Sequence, residues 1–370
     1  MKTPAAALQD ILPEIIERDE SDSESYPRAS VRALYEAGVI AAPFPGGLGG
    51  ANWRLTDSVT AIEALAAASP STALIVSMPL GLAGIYGLGA DLAPKEYRAA
   101  WSAQIEQVAG EYRQGLVYAA CNSEKGAGGS LDATKAVATR GEDGRFQITG
   151  EKILASSGHH ADVFFSTAKV SQADLPGAGV VEIFLVPVGS PGVHVLQDWD
   201  GFGMRATESQ TVRYTNAAAR DLMGFPDFIS RAQPLQYWFC LFAAIPLGCA
   251  RAMLTALGTP TPTSPALRMR LSDATMRYEA MRAYLLETAA GFRAAAGPQY
   301  AARVLRTKTY VTQEATKLCA ELFALGGGRN YRRTSRAART LADSFAGTSL
   351  RPPLALALDS LLENFTLFDS

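Results

Sequence analysis

Apolar and polar positions change their rhythm twice along this chain. Up to about Gln114 the texture is helical, with Ala/Leu-rich runs such as Ser58–Ala68 (SVTAIEALAAA) and turn punctuation at Pro43–Gly50 (PFPGGLGG). From Leu116 to about Met223 it becomes strand-like. There Ala136–Ser156 reads as two strands joined at Glu142-Asp143-Gly144, because Asp-Gly tolerates the positive dihedrals of a tight hairpin. Val180–Val188 and Gln210–Tyr214 are further short strands. From Pro226 the helical period returns through Leu367, interrupted by a Pro/Thr loop at Gly258–Pro265. A doubly wound sheet would alternate strands and helices throughout, so this order argues against one. It predicts an α+β protein: an N-terminal helical domain over 1–114, a central antiparallel β domain over 115–224, and a C-terminal four-helix bundle over 225–370.

One stretch, Thr72–Ala90, is nearly apolar and approaches membrane-spanning length. Pro79, Gly81, Gly84, Gly87 and Gly89 break it, so buried core helices are expected and no membrane partner. The first residues, MKTPAAALQDILPEIIERDESDSES, lack the apolar core of a secretory signal. Across 370 residues, 48% are hydrophobic and 19% charged, enough for one or two large cores. Lys+Arg 34 against Asp+Glu 36 gives a net charge of -2, a poor balance for holding a phosphate backbone. The four cysteines (Cys121, Cys240, Cys249, Cys319) are widely spaced in apolar surroundings. With three histidines, two of them adjacent, no metal site is expected, and a reduced, cytoplasmic setting fits.

Six local motifs, taken in order, resemble the acyl-CoA dehydrogenase superfamily of flavoproteins along almost the whole chain. Pro27, Ala37-Gly38 and the Pro followed by Gly49-Gly50 look like its N-terminal signature. Cys121–Asp132 (CNSEKGAGGSLD) sits where the family has a Thr-Glu-Pro, Gly-rich, Ser-Asp segment. Ile148–Phe165 resembles its Gly-x-Lys strand and flavin-facing segment, and Gly201–Tyr214 its Gly-Met-Arg-x-Thr strand pair. Ala324–Tyr331 and Ala346–Ser349 look like the late glycine motif and the Gly-Thr turn. The resemblance implies a homo-oligomer, dimer or tetramer, that binds FAD between the β domain and the C-terminal bundle. Residues matching Cys121, Asn122, Ser123, Leu154, Ala155 and Ser156 would contact the isoalloxazine. Gly326 and Gly327 would approach the far end of the cofactor unless they merely cap a helix, and Thr348 and Ser349 would touch it from the turn. Ser130 and Arg205 fall in the same motifs and are substrate-binding candidates. The reaction so implied is α,β-dehydrogenation of an acyl thioester on CoA or a carrier protein. Hydride goes to the flavin, with an electron-transfer or flavin-reductase partner.

Such a dehydrogenation needs a base for the α-proton, ordinarily a carboxylate in an apolar pocket. Of the two family positions for it, one holds Ala346. The other, on the helix leading into Pro246–Gly248, holds Trp238, and Leu235–Ile245 contains no acid. An Arg-x-x-Phe-Gly element that binds flavin phosphates is replaced by GTPTPTSPALRMR, where Arg268 or Arg270 are the nearest substitutes. Three readings follow. The first relocates the base to Asp343 or Glu208. The second is a monooxygenase of the branch that takes reduced flavin from a reductase and needs no α-proton base. In it His159 or His160 would serve as the proton-handling group. The third is a non-catalytic scaffold, whose basic run Arg329–Arg339 would be the place for a nucleic acid unless it is simply a solvated helix face.

Overall fold

The computed structural model describes residues 3–363. Its first part is α1 (Pro4–Leu8), α2 (Leu12–Ser21), α3 (Arg28–Glu36), α4 (Leu55–Ala68), α5 (Pro70–Tyr86) and α6 (Arg98–Arg113). Local chemistry sets the starts. Ser69 accepts from the Thr72 N–H at 3.4 Å, and Pro70 fills the first position of α5, where its missing N–H costs nothing. Every residue of α5 is buried. The apolar stretch that begins at Thr72 is therefore a core helix.

Eight strands follow: β1 (Tyr118–Cys121), β2 (Val137–Arg140), β3 (Phe146–Ala155), β4 (Val163–Val170), β5 (Glu182–Pro187), β6 (Val193–Val195), β7 (Gln210–Ala218) and β8 (Asp221–Leu222). They form one sheet in the order β6-β7-β3-β2-β4-β5-β8, with β1 also on β4. The expected hairpin is β2–β3, pairing Arg140 with Phe146 across a turn whose Gly144 has φ 79°. The sheet is mainly antiparallel, yet β1 and β2 each run parallel to β4. Both orientations share a side-chain period of two, so the sequence pattern carries no sign of the difference. Along β4 and β5 the faces alternate. Val163, Phe165, Ile183 and Leu185 join the core shared with the helices, while Phe164, Phe184 and Val186 build a second core with Ile148, Val212 and Tyr214.

The last part comprises α7 (Phe228–Ala232), α8 (Leu235–Gly258), α9 (Pro265–Ala290), α10 (Pro298–Leu325), α11 (Arg336–Ser344), α12 (Ala346–Ser349) and α13 (Leu354–Glu363). The helical run expected to reach Leu367 passes beyond Glu363 into residues outside the described ones. By length and composition α8 could cross a membrane, but most of its apolar window is buried. It packs against α4, α5, α9, α10 and α11. At the α4–α8 crossing a Cβ on Gly248 would stand 2.4 Å from the Glu63 carbonyl oxygen, so only glycine lets the backbones come this close.

Glu63 itself is fully buried within α4. Its carboxylate accepts from Arg282 Nε at 2.8 Å and from the Tyr278 hydroxyl, and lies 3.8 Å from Arg251. These contacts clamp α4 to α8 and α9. Removing the carboxylate strands the partners, a change that typically costs about 3–5 kcal/mol. Glu63→Ala is therefore expected to lower the thermal midpoint by many degrees, read by circular dichroism; an unchanged midpoint would show that the clamp contributes nothing.

Candidate functional site

Three segments meet where the sheet faces the C-terminal helices, and each is held by a polar contact that the strand ladder leaves room for. Paired with β4, β1 ends at Cys121, opposite Ser166, while β2 pairs with β4 only from Lys169 on. Between them the Thr167 N–H would lack a partner, and the Asn122 side chain fills the gap by accepting from it at 3.0 Å. Ser123 then crosses to β3, where its carbonyl accepts from the Ile153 N–H at 2.8 Å. The next residue, Glu124, turns inward and meets Lys152 Nζ at 2.6 Å with both side chains almost unexposed. Burial would raise the Glu124 carboxyl. The Lys152 bond and charge, with the N–H groups of Lys135 and Ala136, outweigh it and hold the group below its ordinary range. The Lys152 ammonium is itself lowered by burial, against the pull of Glu124.

The second segment is a β-bulge. Lys152 pairs with Val212 and Ala155 with Gln210, so β3 spends one residue more than β7 over this step. Leu154 takes the strain, at φ 59°, and is left 53% exposed beside buried Ala155 and Ser156. Behind it the hydroxyls are ordered. Thr207 donates to the Met204 carbonyl at 2.8 Å, so it accepts from Ser209 at 2.6 Å, and Ser209 accepts from Ser156 at 2.9 Å. A hydroxyl has one proton. Ser156 therefore gives its proton inward and presents lone pairs outward.

The third segment runs from α12 into Pro353. Lys308 Nζ, reaching from α10, donates to the carbonyls of Leu350 and Pro352 at 2.8 and 2.7 Å. Burial pulls its pKa down to about 7. Arg351 donates to the Asn122 carbonyl at 2.7 Å. Gly129, at φ 86°, lies so close to Pro353 that a Cβ there would approach its ring to 2.4 Å. Thus the stretch after the Gly-Thr turn is stitched to residues 122–129. Thr348 and Ser349 both donate back to the Phe345 carbonyl and stay at the surface of α12.

The remaining expected residues fall in three places. Trp238 is 5% exposed; its Nε1 donates to the Met78 carbonyl at 3.2 Å, its ring stacks on Phe165, and Gly81 leaves the space it fills. Ala346 is partly buried, and a Cβ on the next residue, Gly347, would press on Pro246 at 2.6 Å. Neither position offers an acid. Asp343 accepts from the Met204 N–H at 2.5 Å, and burial raises its carboxyl to about 7. Glu208, at φ 44°, lies 3.1 Å from His160 Nε2 and 3.7 Å from His159 Nδ1. These three donors lie within 4.8 Å of one another, close enough to share a cation. Arg28, however, sits 2.7 Å from His160 Nδ1, and a guanidinium can only donate. The proton of His160 is thereby placed on Nε2, toward Glu208, and the set closes as a hydrogen-bonded network. His159 lines a cleft of about 400 Å³ with Glu24, Trp199, Asp200, Arg205 and Glu208. Arg205 bonds Glu24 Oε1 at 3.2 Å across it.

Ser130 lies in the turn after Ala127, partly buried. Gly326 and Gly327 close α10. Asn330 packs on Gly326 with its amide donating to the Phe323 carbonyl at 2.9 Å. Arg268 and Arg270 are exposed on the first turns of α9. In the basic run, Arg336 meets Glu20 at 2.7 Å, and Arg339 and Arg333 lie 3.7 Å from Asp19 and Glu24. The chain's own acids on and after α2 so neutralise much of that charge. Cys121 is buried, and its thiol is pushed up to about 11 by that burial, which removes it as a nucleophile. Arg351 and Lys308 are the residues that the sequence pattern did not mark, since a lone basic residue carries no periodic signal.

A flavin ring needs an apolar platform, a polar edge and a hydrogen-bonding group that the chain itself leaves unspent. Exposed Leu154 beside the acceptor Ser156 provides the first two. The third is indicated by Arg351 Nε, buried without a partner next to the Asn122 carbonyl. The residues present fit the group.

Known proteins share this architecture. The acyl-CoA dehydrogenase N-terminal domain matches residues 4–104, and the acyl-CoA dehydrogenase middle domain matches residues 119–217. A probable acyl-CoA dehydrogenase of Bacillus subtilis, YngJ, is 24% identical over 86% of this chain and 84% of its own. A dibenzothiophene monooxygenase of Rhodococcus qingshengii is 29% identical over 47% of this chain and 44% of its own. Among solved structures, KijD3 in complex with FMN and an amino-deoxy-keto-sugar dTDP nucleotide superposes with a TM-score of 0.82 at 22% identity, covering 96% of this chain and 91% of that one. Butyryl-CoA dehydrogenase of Megasphaera elsdenii does so with a TM-score of 0.77 at 18% identity, covering 96% and 98%.

The raised Asp343 carboxyl makes stability depend on pH. Its folded pKa is raised, so between about 4 and 7 the folded state binds the proton that the unfolded state has released. That contribution to stability is lost as pH rises through the interval. Asp343→Asn keeps an oxygen for the Met204 N–H and removes the titration. The thermal midpoint of the variant minus that of the wild type should therefore grow between pH 5 and pH 8. A difference that is flat or falls with pH contradicts the assignment.

Proposed function

The chain belongs to the acyl-CoA dehydrogenase superfamily, and from that premise we propose that it is a flavin-dependent monooxygenase fed with reduced flavin by a separate reductase. The observation that carries this reading is Trp238. At one of the two positions where a dehydrogenase of this type keeps its base stands an indole locked into the core, and at the other stands a methyl group. A reaction that begins by removing an α-proton lacks its usual base here. Transfer of oxygen does not require one.

Bound reduced flavin would supply the two electrons with which dioxygen is divided, one atom going to the substrate and one to water. The chain's own residues have simpler tasks. Leu154 would support the ring, with Asn122 and Ser123 along its polar edge and Cys121 and Ala155 beneath. Ser156, held as an acceptor by Ser209 and Thr207, suits a ring that carries an additional N–H when reduced. Thr348 and Ser349 would close the site from α12. His159, free of the Arg28 contact that occupies His160, would take or return the proton of a substrate hydroxyl or amine, with Glu208 behind it. The reading includes FAD or FMN as the flavin and a homo-oligomer, dimer or tetramer, in the cytoplasm. A reductase is the partner, with Ser130 and Arg205 as substrate contacts.

Asp343 favours a second reading, acyl-thioester dehydrogenation with a relocated base. A carboxyl raised to about 7 one turn before Ala346 has a pKa that a general base could use. Its oxygen is, however, engaged by the Met204 N–H.

The purified protein should bind added FMN or FAD and show the flavin absorbance bands. When the reduced complex meets oxygenated buffer, the bands should return within seconds. A protein that binds neither flavin in either redox state sinks both enzyme readings. Ala346→Glu separates the two. Under the monooxygenase reading it gives no thioester-driven bleaching, whereas at least a tenfold gain over wild type would favour the dehydrogenase.

A further inference from the structure

Three ionic side chains meet behind Asn122, Glu124 and Lys152 buried and Arg351 partly buried, and their charges do not cancel. Glu124 is saturated: one oxygen accepts from Lys152 Nζ and the Ala136 N–H, the other from the Lys135 N–H. Arg351 makes no ion pair with it. The guanidinium spends one nitrogen on the Asn122 carbonyl, and its Nε is buried with no partner. Burial lowers the Arg351 pKa, with only the more distant charge of Glu124 opposing. Lys152 feels Arg351 as a repulsive charge. One Glu against two cations leaves one positive charge uncompensated. A cation so placed is costly unless something anionic arrives.

We propose that Arg351 is a specificity residue that makes this site hold two-electron-reduced, anionic flavin more tightly than oxidised flavin. The inference rests on the flavin reading above. Reduced flavin loses a ring proton more readily than oxidised flavin does, and the resulting negative charge is what an uncompensated, partly buried cation stabilises. Oxidised flavin is neutral on its ring and gains far less. Arg351 acts through the Asn122 carbonyl and through space. Its arrangement also has a counterpart in Ser156, the hydroxyl turned to accept. For an enzyme that takes its flavin already reduced from a partner, such discrimination loads the useful form and releases the spent one.

The test measures affinity of the full chain for oxidised FMN and, anaerobically, for dithionite-reduced FMN. Wild type should favour the reduced form. Arg351→Met should cut the reduced-to-oxidised affinity ratio about tenfold, equivalent to a midpoint potential lower by roughly 30 mV for a two-electron couple. Arg351→Lys, which keeps the charge, should restore most of the ratio. A ratio within twofold of wild type in Arg351→Met overturns the inference while leaving the flavin reading intact. Wild type that binds neither form overturns the flavin reading and the inference with it. If Arg351→Met does not fold, Arg351→Gln keeps a donor for the Asn122 carbonyl without the charge and should lower the ratio by a similar factor; a ratio within twofold of wild type overturns the proposal.

Discussion

The contact between Glu124 and Lys152 fixes the geometry on which the rest of the site depends. It joins the loop leaving β1 to the strand that bulges at Leu154, and it does so with both charges shielded from water. Its energetic value is conditional, because a buried pair stabilises only when its remaining hydrogen bonds are satisfied. Here they are: Glu124 takes two backbone N–H groups, and Lys152 also reaches Thr167 Oγ1 at 3.2 Å. The same pair explains why Arg351 stands out. With Glu124 already committed, the second cation has no carboxylate to itself.

Around this centre, rigidity and strain are distributed unevenly. Trp238, Gly81 and Phe165 form a close-packed contact between α8, α5 and β4, a place where no proton can be handled. Leu154, Ser157, Met204 and Glu208 all hold positive φ, and all lie on the two strand ends and loops that border Ser156. Strain of this kind persists where surrounding structure over-determines it, and it gathers at sites that work. Phe202 and Phe345, 77% and 45% exposed with ring centroids 6.1 Å apart, extend the apolar rim from that loop to α12.

Much of the architecture was legible in the chain. The switch from helical to alternating and back, the Asp-Gly hairpin and the Pro/Thr loop before α9 all follow from backbone chemistry that a few residues decide. The absence of a carboxylate at Ala346 and Trp238 could be seen there as well. Other features could not. The parallel pairing of β1 and β2 with β4 depends on long-range topology, and both orientations share one period. The proton direction through Thr207, Ser209 and Ser156 depends on which hydroxyl finds the Met204 carbonyl. The engagement of Asp343 by Met204, and of Arg351 by Asn122, brings together residues far apart in sequence, with no local pattern to announce them.

Oxygen activation without thioester dehydrogenation is the chemistry we propose for this family member. The most direct measurement mixes the wild-type protein, loaded with oxidised flavin and free of oxygen, with short-, medium- and long-chain acyl-CoA thioesters in a stopped-flow spectrometer. The flavin bands should persist for every chain length. Bleaching on the timescale of turnover with any one of them would contradict that proposal.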